Sequence, residues 1–192
     1  MRLLVFLALS VVAGAASFEI RPTEGSRFAL TVEKTGLMRG RQHLFLFSKF
    51  QGTLDFDPAH PEAAQIRLEI DAASADCKDS WVSMKDLKKI QETALEDMLS
   101  AKRFPKIVFV STSVRGAGKF EVPGMLTIRD TTKPVVVAVE LDARDPARLK
   151  LSGNARLTLT AFGLKPPSAV LGAIGTKDEM SFQFQMEAVT RP

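Results

Sequence analysis

The chain has 192 residues, enough for one domain with a sizeable core, and its 45% hydrophobic and 25% charged residues exclude a disordered or low-complexity polypeptide. Its formal charge of +4 falls to +3, 25 basic against 22 acidic residues, without Arg2 of the leader, a surplus too mild to argue for a nucleic-acid partner. Cys77 is the single cysteine, so an intrachain disulfide is excluded and stability must come from packing.

The chain opens with one cation, Arg2, an apolar run from Leu3 to Val12, and small residues at Ala13 and Ala15, the layout of a cleavable secretory leader. The uncharged stretch ends at Phe18, short of the roughly 20 residues that a spanning helix needs. Residues 1–16 are therefore expected to be a signal peptide. Residues 17–192 are expected to be one mature domain, periplasmic or secreted, with no transmembrane segment.

Period-two alternation dominates the rest, the mark of strands with one buried face. Phe28, Leu30 and Val32 alternate with Ala29, Thr31 and Glu33, and a basic cluster of Lys34, Arg39, Arg41 and His43 follows around Gly36 and Gly40. Arg39, Arg41 and His43 are candidates for holding an anionic head group, the plainer reading being a solvated turn. A strand is expected from His43 to Asp57, containing Leu46 and Phe50, and another where Ile66, Leu68 and Ile70 alternate with Arg67, Glu69 and Asp71.

Between Ala75 and Arg103 the period changes. Leu87, Ile90, Ala94 and Met98 recur at spacings of three and four, and the pairs Ser83/Asp86 and Thr93/Glu96 suit helix N-caps, so a short helical insertion is expected at residues 83–101, as one helix or as two. Cys77, in "ADCKDSW", reads as a partly buried thiol and not a nucleophile, having no His near it in sequence. Pro105 ends the helical stretch.

Strands resume from Lys106 to Arg115, carrying Ile107 and Phe109, and continue through Leu126 and Ile128. Val135, Val137, Val139 and Leu141 share a phase, as do Leu149, Leu151, Ala155, Leu157 and Leu159. The loop "FGLKPPSAVLGAIGTKDE" is longer than a hairpin needs and reads either as a flap over a barrel mouth or as a loop folded outside. Met180, Phe182, Phe184 and Met186 close the series. About eight strands joined mostly by short turns point to an all-β, antiparallel barrel, a sandwich being the alternative.

Chemistry-bearing patterns are scarce. The chain lacks a GxSxG elbow, an HExxH pair and a phosphate-cradling glycine loop, and its two His and one Cys make neither a metal site nor a cofactor expected. Glu69, Asp71, Glu140 and Asp142 fall on the polar phase, and no buried titratable pair is expected in the apolar one. That apolar phase is Phe-, Leu- and Val-rich, with no Tyr in the chain, which suits a hydrocarbon better than a sugar or nucleotide; a core filled by its own side chains remains the alternative.

The segments "SKFQGTLDFD", "RFPKIVFVSTSV", "VPGMLTIRDTTKPVVVAVEL", "AFGLKP" and "KDEMSFQFQMEA", in this order, resemble the YceI family of periplasmic, lipocalin-like, polyisoprenoid-binding proteins over nearly the whole mature chain. The resemblance implies an extended eight-stranded antiparallel barrel whose interior holds a long isoprenoid chain, with the helical insertion at Ser83–Ala101. By position it implies a lining from Phe50, Ile107, Phe109, Leu126, Ile128, Phe182 and Phe184. Phe28, Leu30, Val32, Leu46, Ile66, Leu68, Val137, Leu157 and Leu159 join that lining as candidates. Many members carry an Arg and an Asp just before the F-G pair, where this chain has Leu159 and Ala161, so the polar contacts of those two residues are missing.

The expected function is non-catalytic binding, sequestration or transport of an amphiphilic lipid, an isoprenoid or isoprenoid quinone bound as ligand; a homodimer is compatible with the sequence. The rival is a filled-core barrel that binds a protein partner through its helices or the 163–177 loop. An enzyme acting on a lipid or quinone would need a titratable group facing the interior.

Overall fold

The computed structural model describes residues 15–191, so the expected leader lies almost wholly outside the described residues. Thirteen strands are described: β1 (Ala16–Arg21), β2 (Arg27–Gly36), β3 (Gln42–Phe47), β4 (Phe50–Phe56), β5 (Gln65–Asp71), β6 (Ala75–Cys77), β7 (Lys106–Ser111), β8 (Arg115–Ala117), β9 (Lys119–Ile128), β10 (Thr131–Asp142), β11 (Arg148–Thr158), β12 (Ser168–Ala169) and β13 (Ile174–Thr190). Helix α1 (Met84–Glu92) interrupts them between β6 and β7.

Eight strands close an antiparallel barrel in the order β1–β4–β5–β7–β9–β10–β11–β13, with β13 returning to β1. The expected number holds, with a different membership. β1 was not legible as a strand, yet its Phe18 and Ile20 are buried and pair with both β4 and β13. The run expected as one strand from His43 to Asp57 is two, β3 and β4, broken at Ser48 and Lys49.

The 17 residues of β13 explain how a closed barrel also carries extra strands. Its last residues, Glu187–Thr190, pair with β1, whereas Ile174–Gln185 pair with β2, and β3 and β6 follow beyond β2. One end of the barrel is thereby extended by a curved flap of three strands. The flap ends on an edge that must be covered. Helix α1 covers it: the Cys77 N–H donates to Gln91 Oε1 (2.8 Å), and Gln91 Nε2 donates to the Ala75 carbonyl (2.6 Å).

Helix α1 starts where Ser83 Oγ accepts from the Asp86 N–H (3.1 Å). The second expected cap at Thr93 does not form, because Thr93 is itself helical. The segment instead runs on through a wide π-type turn over Thr93–Met98, placing Leu95, Met98 and Leu99 against the core.

Candidate functional site

Partners across antiparallel strands point to the same face, so the register fixes the inner wall. Phe28, Leu30 and Val32 of β2 oppose Phe184, Phe182 and Met180 of β13. Phe50 opposes Ile70, Leu54 opposes Ile66, Leu68 opposes Phe109, and Phe109 opposes Leu126. Ile107 and Ile128 continue this face, as do Val137 opposite Val122 and Leu157 opposite Met180; Leu159 is buried just beyond β11. All but one of the expected lining residues share one continuous inner surface.

Leu46 is the exception. It opposes Ala29, on the face opposite Phe28 and Leu30, and so points outward. Its neighbours Phe45 and Phe47, absent from the expected lining, are buried in its place. In "HLFLF" both phases are apolar, and alternation alone cannot choose between them.

Phe28 is the hub of the wall. Its ring lies 5.8 Å from Phe47 edge-on, 6.2 Å from Phe184 in a stack, 5.7 Å from Phe182 and 6.2 Å from Phe50. Two inward glycines make room for such rings: a β-carbon at Gly124 would stand 2.4 Å from the Phe109 ring, and one at Gly153 would stand 2.5 Å from the Phe184 ring.

Free space is distributed unevenly. At the end carrying Leu54, Phe56, Val122 and Leu151, a void of about 30 Å³, room for about one water, remains. A larger cleft of about 470 Å³ opens through the wall between β10 and β11. The cause is a split in the ladder: β10 pairs with β9 from Thr131 to Glu140, but with β11 only from Ala138 to Asp142. Thr131–Val137 and Ala155–Thr158 therefore part, and the cleft between them is lined by inward Val135, Leu157 and Gly124, by Phe162, and at its rim by Lys133 and Arg156. Ala161 also lines this cleft.

Polar groups gather at the flap end of the barrel. His43 Nδ1 lies 2.5 Å from Asp79 Oδ2, Asp79 Oδ1 accepts from the Leu44 N–H (2.9 Å), and the carboxylate is buried. Lys34, in phase with Phe28, Leu30 and Val32, is also buried and donates to Thr176 Oγ1 (3.2 Å). Burial pushes the Lys34 ammonium below its ordinary value against the pull of Asp79. Trp81 stacks on His43 with centroids 5.6 Å apart, and the Arg41 guanidinium sits 5.7 Å from the Trp81 ring.

These groups correct two expectations. Titratable side chains do enter the apolar phase, as Lys34 and Asp79, and Cys77 is fully enclosed instead of partly so, burial pushing its thiol up to about 11. A thiol with that value is protonated near neutrality and is a poor nucleophile. Of the three head-group candidates, His43 belongs to the buried cluster, Arg41 packs on Trp81, and Arg39 is exposed in the β2–β3 turn. Sequence position hid Asp79, which lies among Lys78, Ser80 and other polar neighbours.

Among the described residues, no group of three or more His, Cys, Asp or Glu is placed to hold a metal ion, and no helix is long and apolar enough to cross a membrane.

The family model described as a YceI-like domain matches residues 18–188. Similar sequences include a UPF0312 protein of Pseudomonas putida, 33% identical over 130 residues, and one of Azotobacter vinelandii, 29% identical over 126. These alignments cover 64% and 62% of this chain and the same shares of the two relatives, so the match spans less than two thirds of their length. Among solved structures, BcnA of Burkholderia cenocepacia superposes with a TM-score of 0.66 at 24% identity, covering 85% of this chain and 96% of that one. A polyisoprenoid-binding domain from Saccharophagus degradans gives 0.64 at 8% identity, covering 90% and 98%. A Campylobacter jejuni YceI protein gives 0.59 at 19% identity, covering 76% and 84%.

Proposed function

The chain belongs to the YceI family, and from that premise we propose that it binds an amphiphilic lipid, an isoprenoid or isoprenoid quinone, sequestering or carrying it outside the cytoplasm without making or breaking a bond. One observation carries the reading: the apolar inner wall is continuous with a cleft of about 470 Å³ through the β10–β11 split, within the range of small-molecule sites. The polyisoprenoid-binding domain from S. degradans, which shares the fold, supports the choice of ligand class.

The physics of such binding is transfer of hydrocarbon from water, worth roughly 0.8 kcal/mol per CH₂ before the costs of ordering the chain. Since the space left at the Leu54–Phe56 end is only about 30 Å³, a long chain must displace side chains as it advances from the cleft. Phe109 and Phe184, seated over Gly124 and Gly153, are the rings that stand in its way. Lys133 and Arg156 at the rim, and Lys34 deeper within, supply positive charge for an anionic head group. Leu159 and Ala161 carry no charge, so these cations are left to hold the head group.

The small void also favours a second reading, a packed barrel serving as an interaction module through its helices or the 163–177 loop. Purified protein should be extracted with organic solvent and the extract examined by mass spectrometry, alongside titration with a fluorescent isoprenoid. A stoichiometric isoprenoid, or saturable binding of the probe, supports the carrier. An empty extract together with no probe binding refutes it and leaves the interaction module.

A further inference from the structure

The exposed apolar side chains at the flap end form a pattern unrelated to the barrel interior. Leu37 is 78% exposed and Met38 38% at the β2–β3 turn, while Val170 is 65% exposed and Leu171 109% in the loop before β13. The two tips are one unit. Gly36 pairs with Ile174, and the Leu37 N–H donates to the Ala173 carbonyl (3.0 Å). At Gly36 φ is +63°, and a β-carbon there would stand 2.1 Å from the Ala173 carbonyl oxygen, so only glycine lets the tips meet.

The loop also spends conformational energy to present these residues. Val170 and Leu171 both have φ of 52°, in the left-handed region that costs a β-branched or bulky residue dearly. The gain is not burial, since Leu171 is fully exposed. Packing within this fold does not account for the conformation.

Basic residues accompany both tips: Arg39 and Arg41 in the turn that carries Leu37 and Met38, and Lys165 in the loop that carries Val170 and Leu171. Arg39, Arg41 and Lys165 are exposed, and none of them lies within ion-pair distance of a carboxylate among the described residues; the nearby Glu33 is already paired with Lys177. Exposed apolar side chains accompanied by unpaired cations match the two layers of an anionic bilayer, acyl chains within and charged head groups around them. Trp81, beside Arg41, has the amphipathic character that residues at such a boundary show.

We propose that the joined tips are a membrane-docking surface, with Leu37 and Leu171 inserting among acyl chains and Arg39, Arg41 and Lys165 resting on anionic head groups. The surface acts whether or not the barrel holds a lipid, so it stands apart from the carrier reading. It also brings the flap end of the barrel to the bilayer.

The test uses the mature chain with vesicles of phosphatidylcholine alone or mixed with phosphatidylglycerol. Bound protein is read by co-sedimentation, and the single tryptophan, Trp81, reports insertion by a blue shift. Wild type is expected to partition onto the mixed vesicles, and less so at high salt. Leu37→Glu with Leu171→Glu should lower the partition coefficient at least about tenfold, since burying each leucine is worth about that factor or more. Arg39→Gln with Arg41→Gln should remove most of the salt-dependent part. All four positions are exposed, and circular dichroism checks that the variants fold. No binding by wild type to the mixed vesicles, or equal binding by the leucine variant, overturns the proposal. So does a wild-type dimer in light scattering that the leucine variant abolishes without altering vesicle binding, which would assign the tips to a second copy of the chain.

Discussion

Replacing Phe28 with leucine asks how much of the inner wall is held by aromatic packing. The ring is 6% exposed and touches four others, two in favoured geometries, edge-on to Phe47 and stacked on Phe184. Each favoured pair is worth about 0.5–1.5 kcal/mol beyond buried area, so losing two removes about 1–3 kcal/mol. Leucine keeps most of the apolar volume but leaves a void near methyl size, costing on the order of 1 kcal/mol more. The total of about 2–4 kcal/mol falls just below the 3–5 typical of truncating a phenylalanine to alanine. In a chain of this size that lowers Tm by roughly 4–16 °C. Urea unfolding gives the free energy directly, and titration with a fluorescent isoprenoid on the same variant reports the interior. A loss below about 1 kcal/mol would mean that the ring faces free space, and the account of a wall packed around Phe28 would be wrong.

Three further outcomes follow from individual groups. Glu69 accepts from Lys106 (2.5 Å) and Arg67 (2.8 Å), hydrogen bonds that hold its carboxyl down at about 2 from an ordinary 4.5. A depressed carboxylate adds stability above its unfolded value and loses it as pH falls through its folded one, so the Tm gap between wild type and Glu69→Gln should be constant near neutrality and shrink between about pH 4.5 and about 2. Burial lowers Lys34, so its charge opposes folding at neutral pH; Lys34→Met should hold or raise Tm by a few degrees, flatten the stability gain that wild type shows as pH climbs toward 10.5, and weaken binding of anionic amphiphiles. Cys77, buried and pushed up to about 11, should react with a thiol reagent only after denaturant is added, and rapid labelling of the native protein would contradict its burial.

What the sequence disclosed was whatever one strand or helix decides alone. In Ile66–Ile70 and Met180–Met186 the polar phase is clean, and every apolar side chain faces where alternation puts it. The Ser83 cap was equally local. Failures came where two answers cost the same locally: "HLFLF" is apolar in both phases, and β1 adjoins an apolar leader that masks its alternation. Asp79 sits among polar residues and is buried only because His43 and the Leu44 N–H, more than 30 residues away, come to it. The β10–β11 split cannot be read from either strand alone, since Val135, Val137 and Val139 keep one phase, as do Leu149, Leu151 and Leu157, whether or not the two strands pair.

That split divides the barrel into unlike halves. Around the β1–β13 seam, Ile20, Leu149 and Ala188 are almost completely buried, and the ladder is unbroken from β10 through β11 to β13. At the other end lie the parted strands, the buried Lys34 and Asp79, and the strained tips. Native proteins open locally where apolar contacts and ladder bonds are few, so the seam can hold the fold while the flap end rearranges. A ligand entering between β10 and β11 would meet a wall already lacking its ladder bonds there, and need not break the eight-stranded closure. On the carrier reading proposed above, the feature that weakens one face of this barrel is thus the one through which a guest would enter.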